Sequence, residues 1–387
     1  MSHLMQNYGR LPVSFSSGSG AIVRDSDGKE YLDALCGLAV TGLGHDHEGV
    51  TAALTRQARS LLHSSNLYEV PDQSRLAERL CAMSGMDRVF FGNSGAEANE
   101  AAIKIARLWG NRQDTPRGTI IVMEGSFHGR TMATLTATGS RKAQAGFEPL
   151  LKGFVRAPYN DVEAIEQIAR NNSDVIAVLL EPIQGEGGIV VPGDGYLQAL
   201  RRICDEQQWL LMLDEVQTGN GRTGAFFAYQ HADILPDVVT TAKGLGNGVP
   251  IGACLAKGVA AEVLTPGTHG STFGGNPLVC AAANAVVDAL EDGTLMARAK
   301  QLGDRIANGL GERLRGDNRV REIRGKGLMI GIELTGPCGE LVTQGLDRGI
   351  LLNVTQDNVV RLLPPLIITD EQADAICDHV AALIEGK

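Results

Sequence analysis

Short, almost unbroken apolar runs punctuate the middle of the chain: Arg88-Val89-Phe90-Phe91, Thr119 to Met123, Val175 to Leu180, Leu210 to Leu213, and Val238 to Thr241. Runs without polar alternation predict strands buried on both faces. Longer stretches of helical periodicity separate them, which predicts an α/β architecture with helices on each side of a sheet. The two ends of the chain read differently. Residues 20–35 predict a hairpin turning at Ser26-Asp27-Gly28-Lys29. Beyond about residue 280, an Ala-rich helix, a second helix near 298–315, strands over Leu328–Leu334 and Val359–Leu363, and a last helix predict a smaller α+β unit. The expected organisation is an N-terminal segment (1–50) packing with a C-terminal small domain (279–387), around a large central domain (51–278).

The polar residues that interrupt this pattern fall at strand ends. Gly92-Asn93-Ser94-Gly95, Glu124 to His128, Glu181-Pro182-Ile183-Gln184, Asp214 and Lys243 all follow predicted strands. In open α/β sheets the ligand crevice lies beyond the carboxyl ends of the strands, so these residues are predicted to share one rim.

Composition narrows the partners. With 387 residues, 43% of them apolar, the chain can bury a large core, while a formal net charge of −10 argues against sequence-independent binding to nucleic acid or an anionic membrane. The first ten residues lack the apolar core of a signal peptide, and no apolar run approaches the roughly 18–20 residues of a membrane span. A cytoplasmic protein is expected. Seven scattered cysteines never form Cys-x-x-Cys, so neither a disulfide framework nor a zinc site is expected. His45 and His47 lack further metal ligands nearby and are read as loop or packing residues.

The candidate chemistry centres on Asp214 and Lys243, 29 positions apart. An acid at the end of one apolar strand and an amine just past another suit pyridoxal phosphate (PLP), which needs a carboxylate for its pyridine nitrogen and a lysine for its aldehyde. Taken singly, each has a plainer reading: Asp214 as a strand-terminal cap, Lys243 as a surface lysine. Ser94 and Glu97 have capping-box spacing at the start of a helix, where free amides can cradle a phosphate or simply be capped.

The motifs Asn93-Ser94-Gly95-Ala96-Glu97-Ala98-Asn99-Glu100-Ala101, Ser126-Phe127-His128-Gly129-Arg130-Thr131, Glu181-Pro182-Ile183-Gln184-Gly185-Glu186-Gly187-Gly188, Asp214-Glu215-Val216-Gln217-Thr218-Gly219, Lys243-Gly244, Ser271-Thr272-Phe273-Gly274-Gly275-Asn276-Pro277 and Arg324-Gly325-Lys326-Gly327-Leu328 occur in that order. Together they resemble the class III, fold type I PLP-dependent aminotransferases over nearly the whole chain. The resemblance implies a large domain with a mostly parallel seven-stranded sheet sandwiched by helices, plus a smaller α+β domain. It also implies a PLP transaminase active as a homodimer with shared sites.

Residue by residue, the resemblance gives Lys243 the Schiff base, Asp214 the pyridine nitrogen and Gln217 the phenolic oxygen. Phe127 stacks on the ring, and Ser94, Gly95 and Ala96 hold the phosphate. Ala96 stands where many relatives have threonine, which removes a hydroxyl contact. Thr272 is expected to reach the phosphate in the neighbouring subunit. Arg130 and Arg361 are expected to take substrate α-carboxylates, with Glu186 masking Arg361 when an ω-amine enters. Glu215 is expected to make a structural hydrogen bond or ion pair. The implied reaction moves an amino group between N2-acetylornithine and 2-oxoglutarate, serving arginine synthesis. Ornithine, succinylornithine and 4-aminobutyrate remain alternative donors. An inactive PLP-fold binding protein is disfavoured because Asp214 and Lys243 are both present. A nucleotide-binding protein is disfavoured because no Gly-x-Gly-x-x-Gly or Walker-type loop follows an early strand.

Overall fold

The computed structural model describes residues 3–113 and 117–386. The chain opens with β1 (Phe15–Ser19), β2 (Ile22–Asp25) and β3 (Glu30–Asp33), an antiparallel set in which β2 and β3 turn at the predicted Ser26–Lys29. The central sheet follows, with β4 (Arg88–Gly92), β5 (Thr119–Met123), β6 (Phe154–Ala157), β7 (Val175–Leu180), β8 (Leu210–Asp214), β9 (Val238–Thr241) and β10 (Gly252–Ala256). Their spatial order is β4-β10-β9-β8-β7-β5-β6. The pairs from β9 to β6 are parallel, whereas β10 is antiparallel to both β9 and β4, so β10 alone runs against the rest. Every residue of β5, β7, β8 and β9 is buried, which is why these strands carry no polar alternation.

The helices cover the sheet for local reasons visible in the sequence. Helix Gly95–Asn111 buries Ala98, Ala101, Ala102, Ile105 and Ala106 on one face. Helix Pro277–Leu290 starts at Asn276, whose Oδ1 accepts the Val279 amide at 3.1 Å, and has proline in its first turn, where no amide bond is lost. The predicted second C-terminal helix runs Thr294–Arg313, beginning a turn earlier than its periodicity suggests because Gly293, at φ 79°, sets the start.

The remainder of the chain forms β11 (Val320–Lys326), β12 (Met329–Leu334), β13 (Ile350–Leu351), β14 (Asn353–Thr355) and β15 (Val359–Leu362). An antiparallel sheet of order β11-β12-β15-β14 results, while β13 pairs in parallel with β3, so the N-terminal strands and the C-terminal part share a sheet. The last helix, Asp370–Glu385, is capped reciprocally by Thr369 and Gln372 and ends at Gly386, at φ 71°. Arg298 and Arg305 of the preceding helix pair with its Asp370 and Asp374.

Candidate active site

The carboxyl ends of β4, β5, β7, β8 and β9 open onto one cavity of about 480 Å³, a volume suited to a small cofactor with its substrate. Ser94, Gly95, Ala96, Phe127, Arg130, Glu186, Asp214, Gln217 and Lys243 all line it. Because β10 is reversed, the segment leading into it, Val249 to Ile251, closes the same rim.

At one end stands the start of helix Gly95–Asn111. Its first amides have no carbonyl one turn earlier, and the helix dipole favours an anion there. A side chain at Gly95 would place its Cβ 2.8 Å from Val216, so only glycine lets the backbone approach this closely. Ser94 Oγ accepts the Glu97 amide at 3.2 Å, as a cap does. The expected return bond of a capping box goes elsewhere: Glu97 Oε2 accepts from the Asn93 amide and side chain, at 2.6 and 2.8 Å, because the carboxylate reaches one residue further back.

Deeper in the cavity, Asp214 is buried and held on both oxygens. Oδ2 accepts Asn99 Nδ2 at 2.7 Å and lies 2.8 Å from His128 Nδ1, while Oδ1 accepts the Val216 amide at 3.0 Å. Asn99 is itself fixed, donating to the His128 carbonyl and accepting from Thr240 Oγ1 at 2.6 Å. Glu181, at the end of β7, accepts the amides of Phe127 and Gly185 at 3.1 Å each, and its pKa is raised chiefly by burial. Asn99 and Glu181 lie within the quoted motifs, and Glu181 on the predicted rim, but the motifs assign neither of them a role. Their signals are a polar side chain on the buried face of a helix and a charge ending a fully apolar run.

Lys243 stands just past β9 with φ 41°, a left-handed conformation unusual for a residue with a side chain. Burial lowers the pKa of its amine, Arg361 pushes the same way, and Glu186, Asp214 and Glu181 oppose. Arg361, on β15, is 1% exposed and stands behind the cavity wall. Its Nη1 donates to Glu186 Oε1 at 2.5 Å and to Gln217 Oε1 at 3.4 Å, and its Nη2 donates to Asn353 Oδ1 at 2.7 Å. Burial alone would raise the Glu186 pKa, but Arg361 and Lys243 outweigh it and the net shift is downward. The Glu186 carbonyl accepts from Thr355 Oγ1 and Gln356 Nε2 at 2.6 and 2.8 Å, which fixes its backbone to the small sheet.

Arg130 is exposed and lies over the Phe127 ring, 5.4 Å from its centroid. Thr272 is the one proposed cofactor residue that does not line this chain's cavity; it is exposed. Glu215 is buried and hydrogen-bonded, accepting from Thr218 Oγ1 and, at 2.9 Å, from the Tyr229 amide. His45 Nε2 lies 2.8 Å from Asp33 Oδ2, a contact that fastens the N-terminal segment.

Burial pushes the Glu215 carboxyl from its ordinary 4.5 up to about 7 against those hydrogen bonds. The native state therefore holds a proton that the unfolded chain releases, so this contribution to stability is full below the unfolded pKa and is lost as pH rises toward the folded one. Glu215→Gln should melt above the wild type at about pH 8 and lose that advantage near pH 4. Thermal melts across this range check it, and an unchanged difference at both ends would contradict the assignment.

The arrangement meets what PLP requires. An anion cradle at a helix start, a hydrogen-bonded carboxylate and a lysine of lowered pKa converge on one apolar-walled cavity. The family model for Aminotransferase class-III matches residues 4–384. The chain is 57% identical to the acetylornithine aminotransferase of Nitrosomonas europaea, covering 99% of this chain and 98% of that one. Among solved structures it resembles an ornithine aminotransferase of Toxoplasma gondii with partial occupancy of PLP at its active site (TM-score 0.94, 37% identity, 99% and 92% of the two chains). An acetylornithine aminotransferase from Elizabethkingia anophelis is also similar (TM-score 0.89, 34% identity, 100% and 97%).

Proposed function

The chain belongs to the class III aminotransferases, which are PLP-dependent, and from that premise we propose that it exchanges an amino group between N2-acetylornithine and 2-oxoglutarate. When bound, PLP supplies a conjugated ring able to accept the electron pair left as a proton departs the substrate carbon. The residues around it do the rest. The amides of Gly95 and Ala96 with Ser94 would hold the phosphate, Phe127 would lie against the ring, and Gln217 would donate to the phenolic oxygen. Asp214, oriented by Asn99 and His128, keeps the proton on the pyridine nitrogen. Lys243 would hold the cofactor through its aldehyde carbon, and its amine would carry the proton to and from the substrate carbon.

The observation that carries the substrate reading is the pair of buried Arg361 and part-exposed Glu186 near Lys243. Paired, Arg361 presents no free charge, and a long ω-amino donor can enter amine first with its α-carboxylate toward Arg130. When Glu186 turns away, the guanidinium fork is free to grip glutamate or 2-oxoglutarate. The direction glutamate to N-acetylglutamate 5-semialdehyde would serve arginine synthesis.

Arg361→Ala should raise the KM for 2-oxoglutarate about a hundredfold, the loss of one charged, bidentate contact of ~3 kcal/mol. Glu186→Gln should instead weaken the ω-amino donor and spare the dicarboxylate. Separate half-reaction kinetics test this, and equal damage to both halves in both variants rules the switch out. A screen of donors against 2-oxoglutarate tests the substrate itself. Acetylornithine should lead in kcat/KM, and a tenfold preference for ornithine, succinylornithine or 4-aminobutyrate would replace it.

Two observations support an active homodimer. Leu61, Leu62, Leu67, Tyr68 and Phe273 are exposed, with Leu67 86% and Phe273 60% exposed, and Asn66 draws them together by donating to the carbonyls of Ser271 and Gly274. Thr272 is exposed within this apolar face, which supports its reaching a second copy's phosphate site. Seven free cysteines, six of them buried, support a reducing, cytoplasmic setting.

A further inference from the structure

Asn220 follows β8 in Thr218-Gly219-Asn220-Gly221, a position whose identity the sequence left without a role. It is 5% exposed and lies at φ 57°, a left-handed conformation that asparagine tolerates better than other side chains. Its amide turns inward. Nδ2 donates to Thr241 Oγ1 at 3.0 Å and to the Ala242 carbonyl at 3.1 Å, the two residues that lead from β9 into Lys243. On the other side of Lys243, a Cβ at Gly244 would come within 3.2 Å of the Asn220 Cβ, so the Asn220 side chain packs close to this glycine.

Lys243 itself holds φ 41°, a conformation that costs roughly 1–2 kcal/mol for a residue with a side chain and persists only where its surroundings fix it. Asn220 contributes to that fixing from the N-terminal flank, where the Leu245 amide also donates to the Ala242 carbonyl at 2.9 Å. Asparagine leaves its own Oδ1 buried without a partner among the described residues, yet its Nδ2 serves Thr241 Oγ1 and the Ala242 carbonyl, a donor that an apolar side chain of similar size would remove. The further anchor of this loop is Asn247, whose side chain accepts the Leu43 amide at 2.9 Å and donates to the Gly44 carbonyl at 3.1 Å, but it acts beyond Gly246.

We propose that Asn220 is a positioning residue that holds the Lys243 backbone in its left-handed conformation and thereby aims the amine at the cofactor's aldehyde carbon. The inference rests on the reading of Lys243 as the lysine that captures the cofactor. Without the Nδ2 donor, the peptide between Ala242 and Lys243 keeps only the Leu245 amide, at 2.9 Å on the Ala242 carbonyl, and the amine shifts from its line of approach. The phosphate cradle and Asp214 are untouched, since neither is bonded to Asn220.

Two variants separate the donor from the backbone and the packing. Asn220→Gly keeps the positive φ and loses the amide; Asn220→Leu keeps the volume against Gly244 and loses the amide. On the cofactor-free protein, each is tested with two probes. Binding of 4-deoxypyridoxine 5′-phosphate, which has the ring and phosphate but no aldehyde, reads the pocket. Covalent capture of pyridoxal phosphate on Lys243, fixed with borohydride and timed by mass spectrometry, reads the amine. Both variants should bind the deoxy probe within about twofold of the wild type and capture the aldehyde at least about tenfold more slowly. In the reloaded enzyme kcat should fall with little change in KM. Capture at the wild-type rate in either variant overturns the proposal, and so does a parallel loss of both probes, which would make Asn220 a general support of the pocket. Lys243→Ala serves as the control for the underlying reading. If it still captures pyridoxal phosphate at the wild-type rate, the reading of Lys243 fails, independently of Asn220.

Discussion

Lys243→Ala is expected to end multiple-turnover transamination, lowering kcat by about 10⁴-fold, the upper end of what one positioned acid–base group contributes. The size follows from the proposal that one side chain both anchors the aldehyde carbon and carries the proton. The lowered pKa sets the pH behaviour. Burial and Arg361 disfavour the charged amine, so its free-base form exists at pH values where an exposed lysine is still protonated. In the cofactor-free protein Lys243 should therefore react with an amine reagent at lower pH than the surface lysines do. Glu186→Gln removes the largest opposing charge and should move that reactivity lower still. Steady-state rates and peptide mapping of the modified lysine check both statements; reaction only at the pH of ordinary lysines contradicts the second.

Asp214→Asn should lower kcat by about 10²–10³-fold while leaving most of the cofactor affinity, because the phosphate cradle is independent of it. The substitution does more than remove a charge. Asp214 Oδ2 receives Asn99 Nδ2 and faces His128 Nδ1, so an amide nitrogen there sets donor against donor in a buried network, and an amide flipped to avoid this meets the Val216 amide instead. A cofactor analogue methylated on the ring nitrogen, permanently positive, should recover part of the rate. Recovery equal in the wild type and the variant would deny Asp214 this role. Asn99→Ala should lower kcat in the same direction but more weakly, since His128 and the Val216 amide remain.

These effects depend on contacts of unequal legibility in the sequence. The five apolar runs are all strands of the central sheet, because burial on both faces leaves a pattern that needs no partner to be recognised. β6 does not announce itself: it lies at the sheet edge, carries Arg156 and is only partly buried. β10, built from Gly252-Ala253-Cys254-Leu255-Ala256, is short and small in side chain, and nothing in its pattern says that it runs against its neighbours. The site shows the same division. Side chains whose chemistry faces the cavity stand at strand ends and in motifs. Their supports, Asn99 beneath Asp214 and Asn220 beneath Lys243, are uncharged polar residues whose roles depend on three-dimensional neighbours far away in sequence. The capping carboxylate of Glu97, displaced onto Asn93, follows the same rule: spacing names the candidates, and local reach decides the partner.

The seating of Glu186 has a wider consequence. Its carbonyl is tied to Thr355 and Gln356, its carboxylate to Arg361, and the Gly188 and Ile189 carbonyls that follow it accept from Arg324, so the turn belongs mechanically to the small antiparallel sheet. Asp214 and Lys243 are carried by the large parallel one. On the proposed roles, the Glu186–Arg361 switch and the bond-making pair are thus mounted on separate frames, with Arg130 on the same frame as the latter. Drift in one frame can retune which amine is accepted while the other keeps its reaction intact, a separation that gives such a chain room to diversify in diet without relearning its chemistry.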